Sequence, residues 1–223
     1  MGSAWAVEWE VGEAAAFHAR SLSEPAVRAV SVIEVARPAL VLGSTQPATD
    51  VAAPALEAAG VALVRRRSGG GAVLLVPGGS LWVDVVLPRG DIVWDDDVGR
   101  AAHWLGQAWR AALADLGVDG AEVHTGGLVT SRWSSLVCFA GVGPGEVCAG
   151  GRKAVGISQR RSRSGARFQC LLLRRWDPVP LLGLLTLDPV DQQRGGVELA
   201  GVAVGLDLPS SEVVDALVAH LPS

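Results

Sequence analysis

The chain has 223 residues and one lysine, Lys153, beside 18 arginines (19 basic residues less one). A lysine kept against that bias suits a compact, mobile ammonium that can also lose its proton, a role the flat and permanently charged guanidinium does not fill. It lies in Gly151-Arg152-Lys153-Ala154-Val155-Gly156-Ile157-Ser158-Gln159-Arg160-Arg161. Strict strand alternation places Ala154, Gly156 and Ser158 on one face and Lys153, Val155 and Ile157 on the other. The row of small side chains lets a ligand or a second backbone lie directly on the strand. Arg160, seven positions after Lys153 (160 − 153), acts with it only if a twist or bulge follows Gly156.

A second constellation is Arg65-Arg66-Arg67-Ser68-Gly69-Gly70-Gly71-Ala72-Val73. Glycine amides approach a phosphate or carboxylate closely, and the arginines add charge. No Gly-Lys-Ser follows, so this is not a Walker loop, and three glycines alone describe a flexible turn equally well. Cys138 lies fifteen positions before Lys153 (153 − 138). A cationic neighbour would make it a nucleophile, and burial would make it a small hydrophobe like Cys148 and Cys170.

The elements that carry these residues can be read from apolar periodicity and turn residues. Val30 to Val35 and Ala39 to Leu42 read as strands joined by a short turn at Arg37-Pro38, followed by a helix from Val51 to Ala59 that Gly60 ends. Val61 to Arg66 enters the glycine loop, and Ala72 to Val76 and Leu81 to Leu87 read as strands paired around Pro77-Gly78-Gly79. Asp95-Asp96-Asp97 reads as the start of a helix running to Gly117, rather than as a metal site. Glu146 to Ala149 and Arg152 to Gln159 form a hairpin across Gly150-Gly151, Phe168 to Leu173 adds a strand, and Ser210 to Leu221 closes as an amphipathic helix. No repeat, linker or low-complexity segment divides residues 1–223, so a single domain is expected. The class is α/β of the α+β type, with a central mixed, largely antiparallel sheet and flanking helices.

Composition narrows the function. With 49% hydrophobic and 19% charged residues the chain is too apolar for disorder. Its net charge of −4 disfavours a nucleic-acid partner. No apolar run reaches membrane length and the first residues are acidic where a signal peptide is basic, so no membrane partner and a cytoplasmic location are expected. Three cysteines without a CxxC and four scattered histidines support neither a disulfide framework nor a metal site. No histidine is assigned a role.

Taken together, the segments resemble the lipoate-protein ligase A family, within the class that includes biotin-protein ligases and octanoyltransferases. The resemblance rests on Arg65, Arg66, Ser68, Gly69, Gly70, Gly71, Ala72 and Val73, on Gly151, Lys153, Gly156, Gln159 and Arg160, and on Arg37-Pro38 through Gly43-Ser44-Thr45-Gln46. It implies a biotin/lipoate-ligase-like catalytic domain without a C-terminal accessory domain. It also implies ATP with Mg2+, lipoate or octanoate as the acid, and as acceptor a lipoyl domain of a 2-oxoacid dehydrogenase or a glycine cleavage H-type protein. Lys153 would bridge the acyl carboxylate and the α-phosphate. Arg66, Ser68, Gly69, Gly70, Gly71, Ala72, Gly156 and Ser158 would line the acyl and nucleotide pocket, and Arg160 would assist with the nucleotide.

The chain departs from the family pattern in two places. The glycine loop usually continues into Ala-Val-x-His-Asp-x-Gly-Asn, where this chain has Leu75, Val76 and Gly79 for His, Asp and Asn, and the usual His-Gly after the lysine strand is Gln169-Cys170. Two alternatives therefore stand beside the ATP-dependent ligase. One is an octanoyltransferase that takes its acyl group from acyl carrier protein through a Cys138 thioester, without ATP. The other is a catalytically degenerate module that binds an acyl group or its adenylate. The cluster Arg160, Arg161, Arg163 and Arg167 is either a solvated face or a docking surface for an acidic acceptor.

Overall fold

Ten strands, numbered along the chain, form two sheets in the computed structural model, which describes residues 5–223. The larger contains β1 (Ala6–Gly12), β2 (Ala29–Val35), β6 (Ser80–Pro88), β7 (Ala121–Val123), β8 (Val147–Ala149), β9 (Arg152–Arg161) and β10 (Gly165–Leu173). Its order is β1-β2-β6-β10-β9-β8-β7, antiparallel except for the β1/β2 pair. The smaller sheet, β4-β3-β5, has β3 (Ala39–Leu42) parallel to β4 (Ala62–Arg65) and antiparallel to β5 (Val73–Leu75). The expected mixed, largely antiparallel architecture is thus observed.

The helices are α1 (Ala14–Ala19), α2 (Ala53–Ala59), α3 (His103–Asp115), α4 (Val179–Leu182), α5 (Pro189–Leu199) and α6 (Ser210–Ala219). On one face of the large sheet, Val83, Val85, Phe168, Cys170 and Val155 pack against Leu105, Trp109 and Leu113 of α3 and Val213 and Leu217 of α6. On the other, Ile33 and Trp82 meet Val41, Val64 and Leu75 of the small sheet and Phe17 of α1. Leu40 and Leu42 point away from that contact into a third layer with Leu56 of α2, Leu181 and Leu182 of α4 and Leu199 of α5. β3 is therefore buried on both faces, which is why it reads as an unbroken aliphatic run rather than an alternating one. No helix among the described residues is long and apolar enough to cross a membrane.

Three local expectations are corrected. The strands β5 and β6, expected to pair around Pro77-Gly78-Gly79, lie in different sheets, as do β2 and β3, which a short turn at Arg37-Pro38 joins as expected. A strand has two edges: those of β2 are taken by β1 and β6, and those of β6 by β2 and β10. The short connections therefore move the chain between sheets instead of folding it back. Asp95-Asp96-Asp97 does not open the helix, which starts at His103. Asp95 accepts from the Asp97 amide and from Arg100, and Asp97 accepts from the Gly99 amide, so the carboxylates close a turn that competes with helix. The third correction concerns β9. Its hairpin with β8 forms as expected, with Gly150 and Gly151 at φ of 56° and 73° in the turn. Cys148, however, faces Lys153 while its neighbour Val147 faces Val155, which leaves Ala154 as the extra residue of a bulge. The bulge precedes Gly156 instead of following it.

Candidate functional site

The bulge decides where the lysine points. Ala154 and Val155 both enter the core beneath α3, and Lys153 turns to the opposite face, where a Cβ on Gly156 would lie 3.3 Å from its Cε. Lys153 therefore shares a face with Gly156 and Ser158, which strict alternation forbids. Its backbone is fixed on both sides, by the hairpin partner β8 and by bonds from its N–H to Val202 and from Val204 to its carbonyl. The side chain is 2% exposed. Its Nζ lies 2.7 Å from Glu146 Oε2, donates to the carbonyls of Gly141 at 3.0 Å and Cys138 at 3.3 Å, and stands over the Phe139 ring at 4.9 Å. Glu146 is held in turn by the amides of Gly143 at 2.7 Å and Ile157 at 3.0 Å. A buried charge survives only when so compensated.

The glycine loop approaches this strand from the small sheet, and Ser68 Oγ donates to Ser158 Oγ at 3.1 Å. Arg66 is buried and bonds its own loop, donating to the carbonyls of Gly69, Gly71 and Val41, with Nη2 3.7 Å from Cys138 Sγ. Close packing explains two further glycines. A Cβ on Gly43 would fall 1.8 Å from Gly70 O, and one on Gly71 would fall 2.4 Å from Val137 N. The segment Gly43 to Gln46, the glycine loop and residues 136–138 therefore interlock at backbone distance. Around Gly69 there is open space. The amides of Ser68, Gly69, Gly70 and Gly71 have no acceptor among the described residues. Arg67 and Arg160 form no ion pair among them either.

Beside the ammonium opens a pocket whose apolar walls include Phe139, Gly156, Leu171, Trp82, Leu75 and Val73. Glu146, Cys138, Arg66, Ser158, Gln169 and His18 supply its polar edges. The β9/β10/β6 register sets Gly156, Leu171 and Trp82 in one transverse row, Ser158, Gln169 and Asp84 in the next, and Arg160 and Arg167 beyond. Asp84 and Arg167 form a buried ion pair through two guanidinium nitrogens, and Arg167 also donates to Phe17 and Arg20 of the α1 region. His18, in the last turn of α1, stacks on Trp82 at 4.6 Å between ring centroids. Burial first, then the charges of Arg66 and Arg167, lower its pKa to about 3, with the Gln169 amide opposing weakly. Its imidazole is neutral at physiological pH.

Of the residues singled out from sequence, Arg66, Cys138, Gly156 and Ser158 line this pocket. Lys153 lies behind the wall formed by Cys138, Phe139 and Glu146. Ala72 is buried in a parallel bridge to Val137 and faces a different opening, lined by Trp176 and Arg175. Arg160 faces a separate opening lined by Arg20, Arg161, Arg167 and Glu24. Burial raises the thiol pKa of Cys148 and Cys170, which suits packing residues. No group of three or more His, Cys, Asp or Glu side chains able to hold a metal occurs among the described residues. Sequence reasoning passed over Glu146, His18 and Gln169. Glu146 carried a signal, since a carboxylate beside a hairpin turn seven residues before the only lysine (153 − 146) is its natural counter-ion; His18, far away in sequence, carried none.

A family model described as the lipoyl protein ligase A/B catalytic domain matches residues 7–218. Among solved structures, the chain is similar to lipoate-protein ligase A with ATP bound, at 20% identity and a TM-score of 0.72 over 99% of this chain and 84% of that one. A protein from T. acidophilum with bound lipoic acid is 19% identical, with a TM-score of 0.71 and the same coverage, 99% and 84%. The bipartite lipoate protein ligase of Thermoplasma acidophilum, described with its E2 lipoyl domain, is 16% identical, with a TM-score of 0.72 over 98% of this chain and 82% of that one. Comparison with curated protein sequences finds no significant match.

Proposed function

The chain belongs to the lipoyl protein ligase A/B catalytic domain family, so it is an enzyme of the acyl-protein ligase type, and on that premise we propose that it joins an octanoate- or lipoate-type acid to a lysine of a lipoyl acceptor domain through an acyl-adenylate made from Mg-ATP. Residues 1–223 would act as one catalytic domain. The observation that carries this reading is the Ser68–Ser158 hydrogen bond, which joins the glycine loop to the lysine strand beside a pocket of mostly apolar walls.

In the first step a carboxylate oxygen of the acid attacks the α-phosphorus, a P–O bond forms and pyrophosphate leaves. Both reactants are anions, and at about 4 Å and an effective dielectric near 20 two unit charges repel by about 4 kcal/mol. The Lys153 ammonium would offset that repulsion. Its three N–H groups now meet Glu146, Gly141 and Cys138, and the 3.3 Å bond to the Cys138 carbonyl is the longest and the first to yield to a substrate oxygen. Glu146 keeps the ammonium aimed, but its own negative charge must also be balanced. The unpaired guanidiniums of Arg67 and Arg160 and the unused amides of Ser68 to Gly71 fit the phosphates, while Mg2+ would arrive on the nucleotide's oxygens rather than in a protein cage. In the second step the acceptor amine attacks the acyl carbon, the amide forms, and AMP departs with its charge stabilised by Lys153.

The relative with bound lipoic acid, the one with ATP bound and the one described with its E2 lipoyl domain support the acid, the nucleotide and the acceptor class in turn. The test is the intact mass of a purified lipoyl domain after incubation with the protein, octanoate or lipoate, and Mg-ATP. A gain of one acyl group is expected; an unchanged mass would overturn the ATP-dependent reading.

One observation favours a second reading, thioester transfer. Cys138 lines the pocket and its sulfur lies 3.7 Å from the Arg66 guanidinium. A thiolate there would attack the thioester of an acyl carrier protein, release the carrier thiol, and pass the acyl group to the acceptor lysine. Acyl gain from acyl carrier protein without ATP would mark this route.

A further inference from the structure

Six buried side-chain nitrogen or oxygen atoms among the described residues have no hydrogen-bond partner, and two of them are Nδ1 and Nε2 of His18. The other four belong to His103, Trp104, Trp109 and Gln159, none of which lines the pocket beside Lys153. A neutral imidazole carries one donor and one acceptor, and leaving buried polar atoms unpaired is unfavourable. The stack on Trp82 fixes the ring plane, and charging the ring is resisted by burial and by Arg66 and Arg167. The ring is thus held neutral at the pocket wall; Gln169 lies near enough to oppose that shift, but neither ring nitrogen has a partner within hydrogen-bond distance.

Its position relative to Lys153 matters. Gly156 adjoins the lysine on β9, Leu171 faces it from β10, and Trp82 faces Leu171 from β6, so the row from Gly156, beside the lysine, to Trp82, under the histidine, crosses two strand spacings, about 9.5 Å. That is the span of a medium-length acyl chain whose carboxylate lies at Lys153. Along the row the surface is apolar, and in the adjacent row Gln169 of β10 adds an amide that reaches Asp84 only at 3.4 Å. A purely hydrocarbon acid would end against an imidazole whose nitrogens have no partner within hydrogen-bond distance and an amide held by that one long contact.

Resting on the acyl-site reading above, we propose that His18 and Gln169 select the acid: the preferred substrate is a medium-chain carboxylic acid with a neutral hydrogen-bonding group, such as a hydroxyl, at its distal end. His18 and Gln169 are specificity-determining residues here and do not touch the reacting atoms. A site built to bond a hydroxyl rejects the analogue that lacks it, because its own polar groups are then left unpaired.

The test is calorimetric titration of the full chain with ω-hydroxyoctanoate and with octanoate. The hydroxy acid should bind about tenfold tighter, a factor equal to about 1.4 kcal/mol. In His18→Phe, where an aromatic ring can keep the stack on Trp82, the two acids should bind within about twofold, and Gln169→Leu should narrow the gap in part. Octanoate binding wild type as tightly as the hydroxy acid would overturn the inference and leave the acyl site standing, as would a preference that survives in a folded His18→Phe. Failure of both acids to bind wild type would overturn the acyl-site reading and this inference together. The comparison in wild type does not depend on any variant folding.

Discussion

Two buried ion pairs stand on the same side of the large sheet and differ in almost every other respect. Arg167–Asp84 is closed: the guanidinium donates to the carboxylate and to two carbonyls of the α1 region, and Asp84 also accepts from Trp82 Nε1 at 2.7 Å. Lys153–Glu146 is open to exchange: the ammonium has one short contact to its carboxylate and two carbonyl bonds, the longer at 3.3 Å, and the counter-ion lines the pocket. The planar fork suits the pair that staples a helix to a sheet, and the rotatable point charge suits a pair that would trade partners under the proposed mechanism. A chain that uses arginine almost everywhere keeps its single lysine at the second.

The largest expected effect lies at the closed pair. Asp84→Ala strands a buried guanidinium and should cost about 3 to 5 kcal/mol in urea unfolding, whereas replacing both partners by apolar residues of similar volume should recover most of the loss. At the open pair the main loss is catalytic. Lys153→Ala should lower acyl transfer by about two to three orders of magnitude. Lys153→Arg should not rescue it, since the fork cannot exchange partners as the ammonium does. Equal activity of Lys153→Arg and wild type would remove the distinction between the pairs.

His18 sharpens the comparison, because it faces Arg66 from the glycine loop and Arg167 from the closed pair, with Gln169 and Asp84 beside it. Its pKa falls from 6.5 to about 3 on folding. Between those values the unfolded chain binds the proton and the native chain does not. Stability therefore declines as pH drops below the unfolded pKa, by up to about 1.4 kcal/mol per pH unit, and is unaffected by this group above it. Urea midpoints of His18→Phe should fall less steeply than those of wild type from about pH 6.5 to pH 4. The smallest effect is expected for Cys138→Ser. ATP-driven transfer should change little, and loss of transfer from acyl carrier protein would assign the thioester route to this thiol.

Part of the candidate site was legible because its signals are short runs of sequence. The Gly150-Gly151 turn and the stop of α2 at Gly60 with φ of 63° are fixed by neighbours a few positions away, and Arg66, Ser68, Gly156 and Ser158 stood out within two compact motifs, although the contacts that bring those motifs together span up to 90 positions. The parts that escaped depend on distant chain. Whether β5 pairs with β6 depends on β2 and β10, which come from distant parts of the chain and take both edges of β6. The role of Asp95 to Asp97 depends on Arg100 and on Arg161, which donates to the Asp95 carbonyl from the end of β9. His18 reaches the pocket only because Arg167 holds the end of α1 against the sheet.

The bulge at Ala154 makes the site a matter of parity. Lys153 and Gly156 are three positions apart, an odd separation that a regular strand would split between its two faces, and the extra residue makes them count as two. Deleting Ala154 would therefore leave the ammonium on the pocket face. A further residue inserted between Lys153 and Gly156 and taken up in regular pairing would keep every letter of the two motifs, yet it would turn the ammonium through the sheet into the hydrocarbon layer beneath α3. In this hairpin the spacing between residues is itself an instruction, as open to loss by insertion as the lysine is by substitution.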